Sequence, residues 1–181
     1  DGVQMVTLVK ELTFPFSEEG KSSNIAILDS VFDSGIATNE LEFMLMLEGH
    51  EMQHSKRIKY SFEDIGVGNE DFIYLNNEGV RKVGFSFLDV LSELDAYSNE
   101  IEDSRFSQIN DKHRRFLLAK FGYYYRNLWH VGCNLTTRVR MINHYRHIAE
   151  KLDMVKGRYL DKKGKKYDYL EVFGGEDLIF P

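Results

Sequence analysis

His50, Glu51 and His54 form a His-Glu-x-x-His pentad, a spacing that does chemistry only if the chain around it is helical. On a helix, residues four apart project from one face about one turn from each other. Two imidazoles placed so can both give a lone pair to one Zn²⁺, with the carboxylate of Glu51 set beside the metal's open position. The reaction this suits is hydrolysis, most often of a peptide bond. The metal brings the pKa of a water toward neutrality, and Glu51 takes its proton as the water attacks a carbonyl. Glu51 then delivers that proton to the leaving amine. The run Glu40–Tyr60 is rich in strong helix formers, so the pentad falls where the geometry needs it.

Two histidines leave a catalytic zinc one protein ligand short, and the third has to come from another element. Ser92-Glu93-Leu94-Asp95-Ala96-Tyr97-Ser98-Asn99-Glu100 offers it, with Glu93 lying 39 residues after His54 on a second expected helix. Ala96, one turn beyond Glu93, is small enough to let this helix approach the first closely. Asp95 lies about 200° around the helix from Glu93, so the two cannot face one metal together. Glu100, two turns on and nearly on the Glu93 face, is the alternative third ligand or a partner behind the ligands. No His-x-x-Gly-x-x-His follows the pentad, and one cysteine excludes a ligand set with two.

His50-Glu51-x-x-His54 followed by Glu93-x-x-Ala96 resembles the gluzincin branch of the zincin metallopeptidases. The resemblance runs from His50 to Ala96. It implies one zinc per chain held by His50, His54 and Glu93, with Glu51 as general base. It implies a zincin-like α+β fold, predominantly helical, with a small antiparallel sheet. It also implies a protein or peptide substrate that pairs with an edge strand above the active-site helix, a role open to residues 24–28. Domains of this kind occur as stand-alone bacterial proteases and as the catalytic part of secreted effectors and toxins acting in a reducing cytoplasm.

A hydrolytic zinc site also needs a donor for the oxyanion. Tyr97, one turn beyond Glu93, is the first candidate, ahead of Tyr123, Tyr124, Tyr125 and His130. Core packing with hydroxyls at the rim accounts better for the tyrosine run. His113, His130, His144 and His147 read as surface or hydrogen-bonded side chains. Two other readings use the same residues. Glu51-x-x-His54 is also the half-motif of ferritin-like di-iron bundles, where Glu48 or Glu93 would bridge two irons. That architecture wants a second Glu-x-x-His, and His144 is preceded at that spacing by Met141. A non-catalytic helical interaction domain is the third reading.

The composition bounds these readings. The 181 residues fit one domain, 43% are hydrophobic and 29% charged, and two prolines argue against long linkers. A net charge of −6 argues against general nucleic-acid binding, although residues 114–146 and 156–166 are locally basic. Cys133 is the single cysteine, so no intrachain disulfide forms, and its setting reads as small core filler. No apolar run reaches the length of a membrane span, and no signal-peptide pattern is present. The chain opens on Asp1-Gly2-Val3, which fits a domain cut or processed from a longer product.

The elements that position the site follow from local pattern. Residues 3–9 and 24–28 read as strands. Asn39 and Glu42 read as a capping box opening a helix to about Tyr60. Four glycines in residues 61–84, with Asn76-Asn77-Glu78-Gly79, read as a loop or hairpin with a short strand at 72–75. A second helix is expected over Phe85–Ile109, its apolar face carrying Phe87, Leu88, Leu91, Leu94 and Tyr97 or Ile101. Asp111 caps a third helical region to about Lys156, with Gly122 and Gly132 as candidate breaks. Residues 158–181 read as a C-terminal hairpin and tail, turning around Asp161–Lys165.

Overall fold

The computed structural model describes residues 5–9, 23–27, 36–60, 62–151, 158–160 and 166–168. Strands β1 (Met5–Val9) and β2 (Ser23–Ile27) pair antiparallel, Met5 opposite Ile27. The pentad helix follows in three parts: α1 (Glu40–Met44), a π-helical segment (Leu45–Glu51) and α2 (Met52–Tyr60). Strands β3 (Ile73–Leu75) and β4 (Arg81–Val83) form a hairpin. Then come α3 (Phe85–Glu102), α4 (Asp111–Asn127), α5 (Leu135–His144) and α6 (Arg146–Lys151). Strands β5 (Arg158–Leu160) and β6 (Lys166–Asp168) pair antiparallel. The protein is thus mostly helical with small antiparallel pairs, an α+β arrangement.

Helix α3 is the centre of the molecule. Phe87, Leu91 and Leu94 recur at helical spacing and are completely buried, with Ala96. They join Leu45 from the π segment, Leu117 and Phe121 from α4, and Met141 and Tyr145 from α5 and its end. Helix α4 packs along α3, and the pentad helix packs against α3 as well. Met46 turns away from this core and packs with Ile36 and Ala37 in a second cluster. Replacing a fully buried leucine such as Leu94 by alanine is expected to cost about 2–5 kcal/mol.

Several expectations are corrected in detail. The pentad helix is not α-helical throughout: Met52 N–H reaches back to Leu47 C=O, five residues away, so one extra residue is wound into the turn that carries His50 and Glu51. Asn39 does cap the helix, its Oδ1 accepting from Glu42 N–H at 3.0 Å. The Glu42 carboxylate does not return the bond to Asn39. It accepts instead from Thr38 N–H and Oγ1 (both 2.7 Å) and from Asn110 N–H (2.6 Å), tying the start of α1 to the start of α4. Helix α3 ends at Glu102 rather than Ile109, because Asp103 adopts an extended backbone and caps the tight turn Ser104–Ser107.

The cap of α4 is Asn110, whose Oδ1 accepts from His113 N–H at 2.8 Å, and Asp111 is the first helical residue. Gly122 sits inside α4, so of the two glycines only Gly132 lies at a break, and a second break falls at Tyr145 between α5 and α6. There the Tyr74 ring occupies the space a side chain on residue 132 would need. Cys133 is buried core filler as expected, but in this connection rather than in a helix. The β3–β4 hairpin turns at Asn76–Gly79, where Gly79 has φ +73° and Asn76 Oδ1 accepts from Glu78 and Val80 N–H. No described helix is long and apolar enough to cross a membrane. Residues 3–4 and 28 of the expected strands, 152–156 of the third helical region, and 161–165 and 169–181 of the expected hairpin and tail lie outside the described residues.

Candidate metal centre

The end of the π segment and the start of α2 carry the two pentad histidines onto the face that meets α3. Their Nε2 atoms lie 3.1 Å apart, and their rings meet edge to face. Glu93 of α3 completes the group: Oε1 is 3.4 Å from His54 Nε2, and Oε2 is 3.8 Å from His50 Nε2. The donor atoms of the three residues all lie within 4.8 Å of one another, and no other such group of three occurs among the described residues. Tetrahedral zinc with bonds of about 2.0–2.1 Å spaces its ligand atoms roughly 3.3 Å apart. The three donors therefore stand close to the edges of such a polyhedron. They fit a divalent metal.

Each imidazole is oriented from behind. His50 Nδ1 lies 2.8 Å from Glu100 Oε1, and His54 Nδ1 lies 2.9 Å from Ser92 Oγ. With Nδ1–H donating to these oxygens, both Nε2 lone pairs point into the same space, which is the tautomer a metal requires. Two such lone pairs cannot face each other at 3.1 Å without a positive species between them. Burial pushes His50 down to about 4, aided by the charge of His54, so it stays neutral. Burial also opposes the charged form of His54, but the hydrogen bond and charge of Glu93 outweigh it and raise its pKa. Burial opposes ionisation of Glu93 in turn, yet His54 and His50 hold its carboxyl below the usual range. A cation is what this arrangement favours, a proton on His54 being the smallest one.

Glu51 is buried, and its charge is felt by His50, His54, Tyr97 and Glu100. It thus sits among the site residues without belonging to the three-donor group. Tyr97 is also brought to the site, its ring centroid 4.4 Å from that of His50. Burial raises the Tyr97 hydroxyl well above its ordinary value, with the charge of Glu93 adding to the effect. It remains a neutral donor. Tyr124 stacks on Tyr97 at 5.8 Å, and Phe116 meets it edge-on at 6.2 Å, so α4 walls the site with aromatic rings. Lys120, whose Nζ lies 5.5 Å from the Phe116 ring, adds a positive charge felt by both His50 and Glu93. Glu93 is the most open of the three donors, its side chain 32% exposed against 12% and 14% for the histidines.

The alternatives for the third ligand separate cleanly. Glu100 lies behind His50 at its Nδ1, on the side away from the shared space. Asp95 points elsewhere, into a pairing with Arg57, Gln53 and Tyr145. Close approach of the two helices depends on Gly49 as well as on Ala96. A Cβ on residue 49 would stand 3.0 Å from Glu100 Cγ, and Asn99 Nδ2 donates to the Gly49 carbonyl at 2.8 Å.

Sequence reasoning missed three participants. Ser92 was within the segment examined for ligands, and a hydroxyl one residue before Glu93 carried no periodic signal. Lys120 is a single cation in a basic helix. His113, expected at the surface or hydrogen-bonded, is completely buried, and neither ring nitrogen has a hydrogen-bond partner among the described residues. His130, His144 and His147 are exposed as expected, His147 pairing with Glu102 at 2.7 Å. Comparison of the chain with protein-family models, curated proteins and solved structures found no match.

Proposed function

We propose that this chain is a zinc-dependent hydrolase of peptide bonds, with His50, His54 and Glu93 as the metal ligands. The observation that carries the reading is the mutual spacing of the three donors, 3.1, 3.4 and 3.8 Å. A bound divalent metal would supply Lewis acidity and a water of lowered pKa at this point. Glu51, buried beside the histidines, takes the proton of the attacking water and returns it to the leaving amine. Tyr97, neutral across the physiological range, keeps its proton and donates a hydrogen bond to the carbonyl oxygen as negative charge develops there. The open side at Glu93, bounded by Phe116, Tyr124 and Lys120, admits the substrate. The β1–β2 hairpin touches α2 and, among the described residues, each strand pairs on one side only, which leaves an edge for an extended peptide.

Support for the two alternatives is thinner. A di-iron bundle would need a second carboxylate–histidine set, and Glu48, the proposed bridge, is instead held at the surface by Arg105 at 2.7 Å. The interaction-domain reading leaves the three convergent donors without a purpose. Metal analysis of the full chain purified without chelator separates the readings: about one zinc per chain is expected. Two irons or no metal overturns the proposal. Glu51→Gln should keep the zinc and slow cleavage of a fluorescently labelled unfolded protein by about 10²–10⁴-fold. Undiminished cleavage removes Glu51 from the chemistry.

A further inference from the structure

The geometry points to His113 as a positioning residue for the metal centre, acting through Glu100 on His50. Glu100 Oε1 accepts from His50 Nδ1–H at 2.8 Å, and its second oxygen is buried with no hydrogen-bond partner among the described residues. The nearest complement to that oxygen is His113 Nε2, 3.8 Å away, itself fully buried and without a partner among the described residues. Two orphaned polar atoms facing one another in a dry interior are each costly to leave unpaired. Closing the gap by less than one ångström pairs both.

The purpose of such a contact is mechanical. A carboxylate held by one oxygen alone keeps a soft rotation about its terminal bond, and the imidazole leaning on it shares that freedom. A second donor on Oε2 fixes the plane of the carboxylate, and with it the direction of the His50 Nε2 lone pair. The stem of Glu100 is already confined, its Cγ lying against the notch left by Gly49. His113 is confined too, because Asn110 caps its backbone N–H at 2.8 Å at the start of α4. The path His113–Glu100–His50 therefore runs from α4 through α3 to the pentad helix. Its outer end is a residue that touches neither metal nor substrate.

This inference rests on the metal reading of His50, and its test keeps the two apart. The first measurement uses the metal-free full chain and ring-nitrogen NMR. His50 should carry its proton on Nδ1 and His113 on Nε2, each in slow exchange with solvent, and His113→Phe should shift the His50 Nδ1 proton. The second is zinc affinity by chelator competition. His113→Phe should weaken binding about tenfold, and Glu100→Gln by at least as much. The double variant should be no worse than Glu100→Gln alone, and His113→Gln, which keeps a donor, should restore most of the affinity. Additive losses, or a His50 signal indifferent to residue 113, overturn the proposal. Should His113→Phe fail to fold, a wild-type His113 Nε2 without a slowly exchanging proton overturns it as well. Absence of zinc binding with the NMR coupling intact would sink the metal reading and leave the path standing.

Discussion

Asp95 and Glu100 stand five residues apart on α3, both carboxylates shut away from water, and the protein treats them in opposite ways. Asp95 is saturated: Arg57 grips it through Nε (2.6 Å) and Nη2 (2.9 Å), Gln53 donates at 2.6 Å and Tyr145 at 2.9 Å. Arg57 also reaches Asp64, so the cluster fastens α2, α3 and the end of α5 together. Glu100 meets one histidine and a second at arm's length, and its other oxygen stays unpaired among the described residues. Burial pushes its pKa up to about 7, only partly offset by His113 beside it. One carboxylate is spent on holding helices in register. The other is left under-satisfied directly behind an imidazole that we propose as a metal ligand, where strain of this kind has a use.

The comparison can be broken most forcefully at Arg57. Arg57→Ala leaves Asp95 buried without its cation and should cost about 3–5 kcal/mol in urea unfolding, while zinc affinity per folded molecule changes little. A large loss of affinity in the folded fraction would mean that the two clusters are not separate devices. Glu100→Gln should do the reverse. Zinc affinity is expected to fall about 10–100-fold, with the metal-free protein no less stable near neutral pH, where the buried Glu100 charge is itself unfavourable. Tyr145→Phe removes one of several donors to Asp95 and should cost about 1.5 kcal/mol, with no change in zinc affinity.

The subtlest contrast is in pH dependence of the metal-free protein. Glu100, raised from 4.5 to about 7, binds its proton more tightly when folded, so its contribution to stability is lost as pH rises through that window. His50, lowered from 6.5 to about 4, contributes stability that is lost as pH falls through its own window. Between pH 4.5 and 6.5 the two slopes oppose each other. Urea unfolding of Glu100→Gln across that range should reveal the His50 slope alone, stability rising with pH. A variant whose profile parallels the wild type would show that Glu100 does not titrate there.

How much of this was legible in the chain follows from how local each signal is. The pentad, the Glu93 turn and the strands at 73–75 and 158–160 were readable because spacing within a few residues carries them. Asn39 was readable as a cap for the same reason. The Asp95–Arg57 pairing spans 38 residues and the His113–Glu100 approach 13, across a helix break, and no periodicity encodes either. His113 was misjudged because a histidine one turn into a basic helix looks solvated. Beside it, the Glu42 bond to Asn110, a contact over 68 residues, pins the start of α4 against α1. The extra residue wound into the Leu45–Glu51 segment was equally invisible, since its composition is that of an ordinary helix.

That extra residue sets a length requirement on the protein. The helix upstream of the pentad must send Leu45 into the main core and Met46 into the cluster with Ile36 and Ala37, while its far end presents both histidines to Glu93. In an unbroken α-helix the angular offset between those faces is fixed at about 100° per residue. The wide turn resets it. Deleting one residue from this stretch would restore regular winding and swing the upstream half about a quarter turn relative to the histidines. A chain one residue shorter would have to choose which of its two ends to seat.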